Sequence, residues 1–168
     1  SPFGPVSGLG ANAFTANPLL GEDALEPMVE AAEAAGAGIF ALVRTSNSGA
    51  ADVEDLETPD GPVHEHLARM VDRFADRLAG STTALSGMGA VVGATAPEHI
   101  SRLRELMPRA VFLIPGVGAQ GGTPDELGPA FAPGRAAAMI TASRSIAGAP
   151  DPAAAADELR SAVWSVSG

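Results

Sequence analysis

Strand-like and helix-like segments alternate five times along this chain, at intervals of roughly 25 to 50 residues, and this pattern leaves few folds open. The strand candidates are Ala11 to Ala16, Ile39 to Val43, Ala90 to Ala94, Val111 to Ile114 and Ala137 to Thr141. Between and after them lie helical patterns. Asp23 to Ala35 stops at Gly36 and carries Pro27, which the spacing puts in the first turn, where a missing donor costs little. Val63 to Leu78 places Leu67, Met70, Val71, Phe74 and Leu78 on one stripe, and Pro97 to Met107 does the same with Ile100, Leu103, Leu106 and Met107. A short helix is expected around Asp125 to Phe131, and a last one runs from Pro152 to Val166 with Asp151 as its cap.

Ile39-Phe40-Ala41-Leu42-Val43 is an unbroken apolar run, as in a strand covered on both faces. Strands of this kind joined by helices form a parallel sheet with right-handed crossovers. The fold class is therefore α/β. Two architectures compete. A doubly wound open sheet needs no further strands. A (β/α)8 barrel takes ~250 residues, so 168 residues hold five of its eight units.

Charge and composition narrow the function classes. A formal charge of -10 speaks against a broad cationic face for nucleic acid or for an anionic membrane. The chain has no Cys, hence no disulfide scaffold and no thiol chemistry. Its apolar runs are too short to span a bilayer, and its first residues lack a signal-peptide pattern, so the expected setting is cytoplasmic.

Three polar clusters follow strands. Gly116-Val117-Gly118-Ala119-Gln120-Gly121-Gly122 lets backbone amides approach an anion, with the Gln120 amide as a directional donor; a simple tight corner reads equally well. It is neither a dinucleotide fingerprint nor a P-loop, since the spacing differs and the chain has no Lys. Ser143-Arg144-Ser145 follows the next strand, and in a barrel the last two such loops commonly share a phosphate. Arg144 would supply the permanent cation; the bland alternative is a surface charge. Thr45-Ser46-Asn47 suits the edge of a small polar ring, although such residues are more often turn formers. Asn17-Pro18 has the same double reading. His64, His66 and His99 show no metal-ligand spacing, and the acidic loop Asp52 to Asp60 reads as a solvated or lid-like segment. These residues offer a place to hold a phosphorylated ligand without the groups to transform it.

The ordered segments Thr15 to Gly21, Leu42 to Ala50, Val91 to Thr95, Phe112 to Gly122 and Ser143 to Ile146 together resemble the carboxyl-terminal portion of orotidine 5'-phosphate decarboxylase, in its longer bacterial and mycobacterial-type branch. The resemblance implies a (β/α)8 barrel of which residues 1–168 form strands four to eight, with strands one to three absent from this sequence. It implies a homodimeric carboxy-lyase that converts orotidine 5'-phosphate to uridine 5'-phosphate and carbon dioxide in pyrimidine biosynthesis, without cofactor or metal. By the same resemblance Ser46 contacts the pyrimidine, while Gln120 and Arg144 hold the phosphate. Gly118, Gly121 and Ser143 add adjacent contacts, and Pro115 opens the loop that carries Gln120. Ser48 stands where the family often has Pro, and Ala147-Gly148 where it has an aromatic. The family's Asp-x-Lys-Arg-Gly-Asp run would precede Ser1, on the same polypeptide or on a companion fragment, so these residues alone are expected to be inactive. The alternatives are a related barrel enzyme acting on sugar phosphates and an inactive nucleotide-binding fragment.

Overall fold

The computed structural model describes residues 10–168. Its main sheet has five parallel strands in the order of the chain: β1 (Ala13–Ala16), β2 (Gly38–Arg44), β5 (Ser86–Val92), β6 (Ala110–Ile114) and β7 (Ala138–Ile140). Two short strands, β3 (Glu57–Thr58) and β4 (Gly61–Pro62), form an antiparallel ribbon within the acidic loop. Strand order separates the two competing architectures. A doubly wound sheet reverses direction at a switch point; this sheet never does, and its unbroken progression is that of a barrel segment.

The helices explain which strand face is filled. α1 (Glu22–Ala35) buries Leu25, Val29 and Ala32, α2 (Val63–Arg73) buries Leu67, Ala68 and Val71, and α3 (Ile100–Leu106) buries Ile100 and Leu103. These side chains join Ile39, Ala41, Val43, Met88, Ala90, Val92, Phe112 and Ile114 in one core. Burial of such surface is the main favourable term in folding, ~25 cal/mol per Å2 of apolar area. The opposite sheet face carries Phe40, Leu42 and Leu113, which are half-buried, and Met139, which is 52% exposed. The Ile39 to Val43 run is thus covered fully on its helix side only. On that inner face Val91, beside Leu42, is the buried side chain, while the others stay partly open.

Several boundaries differ from the sequence expectation. Pro27 lies in the second turn of α1, because the helix starts at Glu22; its ring is exposed, and the carbonyl it leaves without a donor can be met by water. α2 ends at Arg73 and continues as turns that still bury Phe74. The helix foreseen at Asp125 to Phe131 is two 3-10 turns, Pro124–Glu126 and Gly128–Phe131, each with a proline in its first two residues. The third helix likewise begins with a 3-10 turn, Pro97–His99. The third strand begins earlier than expected, at Ser86. Two helices close the chain, α4 (Arg144–Ala147) and α5 (Pro152–Val166), and Asp151 Oδ1 accepts the Ala154 N–H at 3.0 Å as the expected cap of α5.

Candidate functional site

The register of β2 against β5 slips between Leu42 and Arg44, so one extra residue enters β2 at its carboxyl end. Such a bulge re-aims the side chains beyond it. Val43 and Arg44 are consequently both buried, where strict alternation would have turned one of them to the inner face. Arg44 grips Asp55 with two parallel bonds, Nε to Oδ1 at 2.8 Å and Nη2 to Oδ2 at 2.9 Å. The chain then emerges as Thr45-Ser46-Asn47 on the rim.

Loops after three strands meet there. Ser46 Oγ donates to Gln120 Oε1 at 3.0 Å, joining the loop after β2 to the loop after β6. Thr95, in the loop after β5, donates through Oγ1 to the Ser46 carbonyl at 3.1 Å. Two glycines make this approach feasible. A Cβ on Gly93 would stand 2.8 Å from the Ser46 N and Cα atoms, and one on Gly116 would stand 2.9 Å from the Ser46 Cβ. Gly116 also has φ +103°, a region that L side chains rarely adopt.

A cavity of about 490 Å3 opens between these loops, with Ser46, Asn47, Ser48, Thr95, Ala119, Gln120 and Arg144 on its walls. Arg144 begins α4 and is exposed. Of the chain's ten arginines it alone has a side chain with no ion pair, hydrogen bond or ring partner among the described residues. Arg44 also lines this cavity but is committed to Asp55, so Arg144 is the cation on its wall that no carboxylate of the described residues neutralises. A larger hollow of about 590 Å3 lies at the other end of the strands, by Gly38, Ser86 and Gly87, but its cation Arg77 is committed to Glu26 and Glu33.

Of the sequence-based candidates, Ser46, Gln120 and Arg144 share one cavity. Gly118 packs against Ser145 and lines the adjoining hollow with Ile146 and Leu159. Pro115 is half-buried and its carbonyl accepts the Ala94 N–H at 2.8 Å, which ties the Gln120 loop to β5. Gly121 (φ +97°) is exposed and donates its N–H to the Gly118 carbonyl at 2.9 Å. Ser143 occupies the cap position of α4, exposed, without capping it through its side chain. Asn17 caps its own turn by accepting the Leu19 N–H and lines a separate hollow with Leu42 and Thr45. Thr95, a polar residue directly behind a buried strand, carries in sequence the same signal as Thr45 to Asn47.

The acidic loop differs from its expectation. Glu54 and Asp55 turn inward: Asp55 pairs with Arg44, and Glu54 accepts from Thr45. The Arg44 guanidinium hydrogen-bonded to Asp55 holds its carboxyl below the ordinary value of 3.8. His64 and His99 adjoin it with their rings 4.5 Å apart, and burial, then the neighbouring His64, push His99 below 6.5. Asp55, His64 and His99 thus bring ligand atoms within 4.8 Å of one another, a proximity the sequence spacing did not reveal. Both Asp55 oxygens are bound to the Arg44 guanidinium, and His64 Nδ1 lies within reach of the Glu54 carbonyl and of Asp55 Oδ1, so these groups are already engaged with one another.

The family model described as Orotidine 5'-phosphate decarboxylase / HUMPS family matches residues 6–159. The orotidine 5'-phosphate decarboxylase of Rhodopirellula baltica is 39% identical over 137 residues, which cover 82% of this chain and 45% of that protein. Among solved structures, the UMP synthase of Leishmania donovani superposes with a TM-score of 0.77 at 32% identity, covering 95% of this chain and 34% of that one. The OMP decarboxylase of the same organism gives 0.74 at 30%, covering 95% and 59%. The chain spans less than half the length of the curated relatives it matches. Among the described residues, no helix is long and apolar enough to cross a membrane.

Proposed function

The chain belongs to the Orotidine 5'-phosphate decarboxylase / HUMPS family, and from that premise we propose that its rim cavity holds orotidine 5'-phosphate for decarboxylation to uridine 5'-phosphate. The observation that carries the reading is the Ser46–Gln120 hydrogen bond beside the unpaired Arg144 on one cavity. A hydroxyl suited to a pyrimidine edge is thereby coupled to an amide and a cation suited to a phosphate.

In this reading Arg144 and Gln120 take the phosphate, with Gly118, Gly121 and Ser143 beside them, Pro115 sets the loop, and Ser46 meets the ring. Phosphate binding is remote from the bond that breaks, yet its energy can hold the ring in the reactive orientation. These 168 residues contain no Lys and hence no ammonium to protonate the carbanion left by carbon dioxide. We assign that step to the family's Asp-x-Lys-Arg-Gly-Asp run, on the same polypeptide or a companion fragment. Residues 1–168 are then the carboxyl-terminal part of one barrel domain in a cytoplasmic homodimer, and alone they bind nucleotide without turnover.

Calorimetric titration with uridine 5'-phosphate, uridine and ribose 5-phosphate tests the reading. The nucleotide should bind at least about tenfold more tightly than either part. Equal affinity for ribose 5-phosphate and the nucleotide would remove the pyrimidine from the assignment and turn it toward sugar phosphates.

A further inference from the structure

We propose that Glu54 is a positioning residue for Ser46, acting with Arg44 and Thr95 to fix the direction in which the serine hydroxyl enters the cavity. The proposal deepens the nucleotide reading and rests on it for the role of Ser46. Glu54 lies in a loop that its composition marks as solvated, yet its side chain is only 16% exposed.

Three consecutive peptide units at the end of β2 are each held by a side chain. The Thr45 N–H, in the first unit, donates to Glu54 Oε2 at 2.8 Å, while the carbonyl of that unit, on Arg44, accepts the Gly93 N–H at 2.6 Å. The Thr45 carbonyl, in the second, accepts Arg44 Nη1 at 2.7 Å. The Ser46 carbonyl, in the third, accepts Thr95 Oγ1 at 3.1 Å. Peptide units are planar, so fixing three successive planes fixes the φ and ψ of the two residues between them, Thr45 and Ser46. The Ser46 Cα–Cβ bond is aimed as a result, and its hydroxyl needs only one rotation to meet Gln120.

A carboxylate suits this task because it accepts more than one bond at once. Glu54 takes the Thr45 N–H on one oxygen, and the Thr45 hydroxyl, with one proton to give, lies 2.9 Å from the other and 2.7 Å from Asn47 Oδ1. Arg44 Nη1 at 3.9 Å offsets its charge. An alanine at this position would leave the Thr45 N–H without its acceptor next to a buried guanidinium. A glutamine would keep an acceptor for the amide and offer a donor to the hydroxyl.

The test uses the full chain with Glu54→Ala and Glu54→Gln, each in the Ser46 and the Ser46→Ala background. Amide hydrogen exchange should speed up at Thr45 by about tenfold or more in Glu54→Ala, stay unchanged at Ala41 and Ala90 in the core strands, and return most of the way in Glu54→Gln. Uridine affinity should fall about tenfold on Glu54→Ala when Ser46 is present, and by less than about twofold when it is already Ala, since Glu54 acts through Ser46. An unchanged Thr45 exchange rate, or the same affinity loss in both backgrounds, would overturn the proposal. Should the unaltered protein bind neither uridine nor uridine 5'-phosphate, the nucleotide reading falls by itself, and the Thr45 exchange rate still decides whether Glu54 holds the strand end.

Discussion

Ser46 and Gln120 are 74 residues apart in sequence, and their side chains are joined by a 3.0 Å hydrogen bond across the mouth of one cavity. With its oxygen engaged by Ser46, the Gln120 amide is left with its two N–H donors for an anion. Ser46→Ala should therefore weaken uridine and uridine 5'-phosphate together, by about 5- to 20-fold, whereas Gln120→Ala should weaken the nucleotide more than the nucleoside. Isothermal titration of both ligands against both variants measures the difference. A Gln120 variant that loses uridine and its phosphate equally would detach Gln120 from the phosphate.

Arg144 faces the cavity without a carboxylate partner, so its charge is available in full. Arg144→Ala should cost uridine 5'-phosphate about 10- to 100-fold in affinity and leave uridine within about twofold, since only the phosphate loses a partner. Binding of the nucleotide to the unaltered chain should also weaken with added salt more steeply than in the variant. If nucleoside and nucleotide weaken alike, the phosphate lies elsewhere.

Arg104 has a structural task that its position on an otherwise apolar stripe conceals. Its guanidinium donates to the carbonyls of Met107, Ala110, Ala130 and Ala137 and stacks 3.6 Å from the Phe112 ring centroid. Burial pushes its pKa down to about 10, still charged at neutral pH. Arg104→Ala strands several buried carbonyls and should destabilise the fold by about 3 kcal/mol or more. Denaturant melts should show this as a lower midpoint, while the fraction that stays folded binds nucleotide normally. A midpoint within experimental error of the unaltered protein would mean the carbonyls find other donors.

The Asp55 network predicts acid sensitivity in two stages. His99 takes up a proton less readily folded than unfolded, so stability falls as pH drops below 6.5, where the unfolded chain gains the proton first. Asp55, depressed by Arg44, contributes stability that is present in full above 3.8 and lost as pH falls through its lower folded value. His64 and Arg44 act on both groups, and Glu98 acts on His99 alone. Stability measured against pH should lose its slope between about pH 5 and 7 in His99→Gln and its acid limb in Asp55→Asn. Parallel curves for all three proteins would rule the network out as the source.

Local pattern was sufficient for much of this protein. The run Ile39 to Val43, the stripe of Leu67 and Val71 and the Asp151 cap are set by neighbours within a few residues, and they specify a strand, a helix and a helix start, although α2 stops at Arg73 and leaves Phe74 in a turn. The clusters at Thr45 to Asn47, Gly116 to Gly122 and Ser143 to Ser145 were visible too, because a polar group behind a buried strand emerges at its carboxyl end whatever lies beside it. Long-range packing decided the rest. A one-residue bulge buried Arg44 beside the rim cavity, where it pairs with Asp55. Glu54, beside it, was held by the Thr45 amide. Ser46 and Gln120 can touch only because Gly93 and Gly116 leave room where three loops converge. Charges separated by tens of residues pair according to where the strands place them, and that distance in space is not written in spacing along the chain.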